Sequence, residues 1–128
     1  MARILVIDDD AAVRGAMQVL LQVEGFEVEL AKDGPSGLAA AQKNVPDLVI
    51  VDRFMPGMDG RETIRALRER TPQLRIIAVS GAMAGPNAGA DEGGEDSAGA
   101  DFSLQKPFRP RELTAAVRQL LGLPERPR

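Results

Sequence analysis

Asp8, Asp9 and Asp10 follow the apolar run ILVI, and a fourth aspartate, Asp52, closes the run LVIV. Ser80 closes IIAV, and Lys106 follows the last apolar stretch, FSLQ. Clustered carboxylates repel one another, and these motifs contain no histidine to offset the charge. A hard divalent cation relieves that repulsion, and oxygen-only ligation suits magnesium. A carboxylate beside Mg2+ can attack an electrophilic phosphorus and become an acyl phosphate. A hydroxyl and an ammonium can then hold the new phosphoryl oxygens. Asp52, Ser80 and Lys106 supply those three groups. Asp10 borders a helical pattern and reads as an N-cap rather than a ligand.

These residues are far apart in the chain, so the fold has to gather them. ILVI (4–7), LVIV (48–51) and IIAV (76–79) are continuous, β-branched and too short for helices. Such runs predict parallel strands buried on both faces. Phe26, Val28 and Leu30 alternate with acids, and Phe102 and Leu104 with Ser103 and Gln105. Alternation predicts strands with one wetter face, at the two edges of the sheet. Helical spacing fills the gaps at 11–24, 35–44, 60–70 and 110–121, with Gly25 ending the first helix and Pro35 and Pro110 opening two others. The glycine-rich stretch 81–100 predicts a long loop with at most a short helix. Strand–helix alternation predicts a doubly wound α/β sheet with right-handed crossovers. In such a sheet ligands bind beyond the carboxyl ends of the strands, where all five chemical candidates sit.

Composition narrows the function classes. One domain is expected from 128 residues, 44% hydrophobic and 27% charged. With no cysteine and no histidine, thiolate chemistry, a histidine base and phosphohistidine on this chain are excluded. No apolar run approaches the ~20 residues of a membrane helix. The N-terminus lacks a secretory pattern, so a cytoplasmic protein without a membrane partner is the default expectation. A net charge of −3 argues against direct nucleic-acid binding.

ILVIDDD, LVIVDRFMPGMDG, IIAVSG and ADFSLQKPF, in that order, resemble the receiver domains of two-component response regulators. The resemblance implies a flavodoxin-like (βα)5 parallel sheet of order 2-1-3-4-5, here with a weak or disordered fourth helix. It spans residues 1–122, leaving a short tail at 123–128. It implies that Asp52 accepts a phosphoryl group and that Asp8 and Asp9 bind Mg2+ with Asp52 and the backbone carbonyl of Phe54. It also implies that Ser80 and Lys106 contact the phosphoryl group and that Lys106–Pro107 is cis. The implied donor is a sensor histidine kinase or a histidine phosphotransfer protein. The output protein is unknown, and phosphorylation-dependent homodimers are a further possibility in such families. No output domain is read after residue 122, which fits a single-domain regulator, a kinase-attached receiver or a piece of a larger protein. Two positions depart from the family pattern. Ser103 stands where an aromatic switch residue is common, with Phe102 on the opposite side of its strand, and the 81–100 segment is long and poor in helix formers.

A phosphohydrolase with an aspartate nucleophile is the enzymatic alternative. Such enzymes carry a second acid two residues on, and Phe54 occupies that place. The chain is therefore expected to be a phosphoacceptor with slow self-dephosphorylation, not an enzyme. A degenerate receiver serving only as a binding module is disfavoured by the intact acids, serine and lysine.

Overall fold

The computed structural model describes residues 2–55, 57–80 and 99–124. The elements run β1 (Arg3–Ile7), α1 (Ala11–Val23), β2 (Glu27–Ala31), α2 (Gly34–Lys43), β3 (Leu48–Asp52), α3 (Gly60–Arg70), β4 (Arg75–Ser80), β5 (Phe102–Gln105) and α4 (Pro110–Leu120). The five strands form one parallel sheet in the order β2-β1-β3-β4-β5. The three continuous apolar runs are its central strands, and the two alternating segments are its edges, as their patterning predicts. Residues 81–98, where a loop and short helix are expected, lie outside the described residues, as do 125–128 of the tail.

The runs ILVI, LVIV and IIAV within the central strands are wholly apolar because both their faces are covered. Ile4, Val6, Leu48, Ile50, Ile77 and Val79 pack under α1 and α4, against Met17, Leu21, Leu113 and Val117. Leu5, Ile7, Val49, Val51, Ile76 and Ala78 pack under α2 and α3, against Leu38, Ile64 and Leu67. Each fully buried aliphatic side chain contributes about 1.5–3 kcal/mol, so these two layers fix the strand ends that carry the polar residues. On β5 Leu104 is buried in the α1–α4 layer, whereas Phe102 is exposed. Strand alternation puts Phe102 on Leu104's side and Ser103 on the other.

The helices start where the sequence caps them. Asp10 accepts from the N–H groups of Ala12 and Val13 at 2.8 and 3.2 Å. Asp59 and Glu62 form a reciprocal capping box on α3. Gly60 opens α3 in close contact with the strand before it. A Cβ there would collide with the Arg53 Cα and, at 2.5 Å, with the Asp52 carbonyl oxygen. Both obstacles are backbone, so neither can swing aside. Gly60→Ala is expected to cost about 1–3 kcal/mol, read as a lower urea midpoint with an unchanged m-value. Gly34→Ala, which meets only the Thr63 and Met58 side chains, should cost less.

Candidate functional site at the carboxyl rim

Asp8, Asp52, Ser80 and Lys106 all lie at or just past the carboxyl ends of their strands. Parallel register brings those ends level: Ile7 lies beside Val51, Asp52 beside Val79, and Ser80 beside Gln105. Carboxylate oxygens of Asp8, Asp9 and Asp52 lie within 4.8 Å of one another. Asp8 and Asp52 are buried and Asp9 is exposed, so the cluster has a floor of two acids and one at its mouth.

Each acid is held differently. The Asp8 amide extends the sheet by donating to Ala31 O at 3.1 Å. Its Oδ1 accepts from the Asp10 N–H at 2.9 Å, and its Oδ2 faces the Lys106 amine at 3.5 Å. Asp52 Oδ1 accepts from the Phe54 N–H at 3.1 Å, so the Phe54 backbone borders the carboxylate. The Phe54 side chain is exposed, and its ring lies 5.6 Å from the Arg53 guanidinium carbon. Lys106 is tied by its own N–H to Ser80 O at 2.7 Å, and the Lys106–Pro107 peptide is cis. Ser80 is half-buried at the end of β4.

Burial pushes the Asp52 carboxyl from the ordinary 3.8 up to about 6, opposed by the Phe54 N–H and Lys106 and reinforced by Asp8 and Asp9. A raised folded-state pKa stabilises the fold fully below about pH 4, and that contribution is lost as pH rises through about 6. Asp52→Asn removes the ionising group. In magnesium-free buffer it should stabilise the protein by about 2 kcal/mol at pH 7.5, with the gain shrinking toward zero near pH 4. Denaturant titrations of both proteins at the two pH values measure this.

An all-oxygen set with surplus negative charge fits Mg2+. Among the described residues, the three carboxylates lie together with the Lys106 amine against Asp8, and Asp8 and Asp9 add to the burial that raises the Asp52 pKa.

Two arginines also belong to this rim. Arg14 Nη1 donates to the Asp8 carbonyl at 2.6 Å. Arg53 is buried directly after Asp52, and its N–H donates to Val79 O at 2.8 Å. Arg14 is the only charged residue on α1, and that isolation was the available signal. Nothing in the sequence distinguishes Arg53 from an exposed loop residue.

A rim of acids beside the reversal of strand order between β1 and β3 defines a flavodoxin-like α/β protein with its site at the topological switch point. The model of the response regulator receiver domain matches residues 4–118, and the chain belongs to that family, whose members are signalling switches of two-component systems. Response regulator MprA of Mycobacterium sp. (strain KMS) is 42% identical over 125 residues, covering 93% of this chain and 50% of that protein. The chain thus spans about half the length of the curated relatives it matches. A CheY-like receiver domain protein of Methanospirillum hungatei superposes with a TM-score of 0.84 at 31% identity, covering 95% of this chain and 94% of the other. TrrA of Thermotoga maritima, crystallised with Mg2+–BeF, gives 0.82 at 33% identity over 94% and 99%. Among the described residues no helix is long and apolar enough to cross a membrane.

Proposed function

We propose that residues 1–122 form a receiver unit in which Asp52 takes a phosphoryl group from the phosphohistidine of a sensor kinase or histidine phosphotransfer protein. The observation carrying this reading is the convergence of Asp8, Asp9 and Asp52 within 4.8 Å, with the Lys106 amine against Asp8. Asp8, Asp9, Asp52 and the Phe54 carbonyl would hold Mg2+. Bound there, the cation supplies charge neutralisation for the incoming phosphoryl oxygens. The TrrA complex with Mg2+–BeF supports the assignment, since fluoride-ligated beryllium resembles a phosphoryl group in shape and charge.

A carboxylate oxygen of Asp52 attacks phosphorus as the phosphorus–nitrogen bond breaks. The bonding pair goes to the donor imidazole, which leaves as the neutral ring because its other nitrogen carries a proton. The Phe54 N–H on Oδ1 orients the carboxylate. Lys106 pivots from Asp8 toward the added charge of about −2, and Ser80 bonds a phosphoryl oxygen from the adjoining strand end. The acyl phosphate then hydrolyses slowly, and the altered rim is read by an output protein.

Intact mass after incubation with Mg2+ and acetyl phosphate tests the reading. One phosphoryl adduct, absent from Asp52→Asn, supports it. Enzyme-like steady turnover of the donor points to a hydrolase. No adduct with either acetyl phosphate or a phosphorylated kinase points to a binding module.

A further inference from the structure

We infer that Arg14 is a positioning residue that sets the direction of the Asp9 carboxylate by clamping the backbone on both sides of it. The inference rests on the magnesium site proposed above. The Arg14 N–H donates to Asp10 O at 3.0 Å, closing the first turn of α1. Its guanidinium Nη1 donates to Asp8 O at 2.6 Å. One residue therefore holds the two carbonyls that flank Asp9. The Asp8 carbonyl needs such a donor, because β1 ends at Ile7 and the ladder with β3 stops at the Ile7–Val51 pair. An unpaired carbonyl in a partly buried turn is costly, and the loop would rotate to hydrate it. Rotation about Asp8–Asp9 would carry the exposed Asp9 carboxylate away from the buried pair formed by Asp8 and Asp52.

Charge and geometry predict opposite signs for the loss of this side chain. An arginine near a cation site repels the cation, so removing its charge alone would tighten Mg2+ binding. If the clamp dominates, removal loosens the ligand set and weakens binding, as loss of outer partners does at other metal sites.

Two measurements on the whole chain separate these effects and keep the magnesium reading apart from the Arg14 inference. In EDTA, Arg14→Ala should speed hydrogen exchange at the Asp10 amide, which bonds to Asp8 Oδ1, by about tenfold, leaving the β1 amides of Leu5 to Ile7 unchanged. In calorimetric titration with Mg2+, Arg14→Ala should raise Kd about tenfold, and Arg14→Lys, which keeps one donor and the charge, should recover part of that loss. Unchanged Asp10 exchange, or a Kd equal to or tighter than wild type in Arg14→Ala, overturns the inference. Exchange is measured without metal, so a wild-type chain that fails to bind Mg2+ overturns the magnesium reading visibly and separately, and removes the functional half of the inference with it. Should Arg14→Ala not fold, Arg14→Gln, neutral with a single shorter donor, carries the same two readouts.

Discussion

Chelating magnesium is expected to slow phosphorylation of this chain by acetyl phosphate by at least about 10³-fold. Three carboxylates lie within 4.8 Å of one another, and among the described residues the ammonium paired with them is that of Lys106, against Asp8. A phosphoryl group arrives with negative charge of its own. At such distances each uncompensated charge pair costs about 4 kcal/mol at the effective dielectric of a protein surface, and one Lys106 offsets only part of that. Protonating Asp52, with its pKa near 6, relieves repulsion but removes the nucleophile, so lowering the pH does not substitute for the cation. Asp9→Asn in saturating Mg2+ should reproduce most of the loss while leaving the Asp8–Lys106 contact in place. Adduct formation followed by intact mass in Mg2+, in EDTA and in the variant provides the comparison. A rate in EDTA within tenfold of that in Mg2+ would remove the cation from the account.

Replacing Lys106 with Ala should lower the rate of adduct formation by about 10²-fold, the usual loss when one charged donor to a developing oxyanion is removed. The same change should act on stability through Asp8. Asp8 is 1% exposed and, among the described residues, its carboxylate keeps the Asp10 N–H once the amine is gone. Breaking a fully buried ion pair costs about 3–5 kcal/mol. Lys106 is partly solvated and stands 3.5 Å away, so a loss of about 1–2 kcal/mol in EDTA is expected after screening. Mg2+ should restore most of it, and the variant should bind Mg2+ more tightly than wild type because a repelling charge has left the site. Denaturation with and without Mg2+ reads both effects. A variant that phosphorylates at the wild-type rate would show that Lys106 contacts no reacting oxygen.

The parts of this molecule legible in its sequence are those governed by local pattern. ILVI, LVIV and IIAV can be covered only on both faces, which makes them central strands. The half-polar segments around Val28 and Leu104 then fall at the edges. Asp10 announces a helix start through its short side-chain oxygen, and it is found accepting two amide bonds. The strand order and the cis Lys106–Pro107 peptide were legible only through likeness to known receivers, because local chemistry alone does not select either.

Long side chains were not legible. Nothing in the spacing of Arg14, Arg53 or Arg68 marks any of them as more than a surface charge, yet each is committed to backbone or buried surface. Arg68 bonds to the Pro72, Leu74 and Gly99 carbonyls and to Asp101, which itself accepts from the Ile76 N–H. It thereby ties the end of α3 to the start of β4 and the approach to β5. An arginine stem can reach any carbonyl left over at a strand or helix end, and sequence spacing does not say which carbonyl that is. For the same reason the resting contact of Lys106 with Asp8 followed from no motif. The reading of residues 81–100 falls almost wholly on residues outside those described.

Borohydride reduction of the phosphorylated protein, which converts an aspartyl phosphate to homoserine, followed by peptide mapping, tests the central claim most directly. Trypsin releases residues 44–53, NVPDLVIVDR, which carries Asp52 together with the exposed Asp47 as an internal control. Homoserine at position 52 alone, formed only in Mg2+, is the predicted result. Homoserine at Asp8, Asp9 or Asp47, or a phosphate ester on Ser80 in its place, would contradict it.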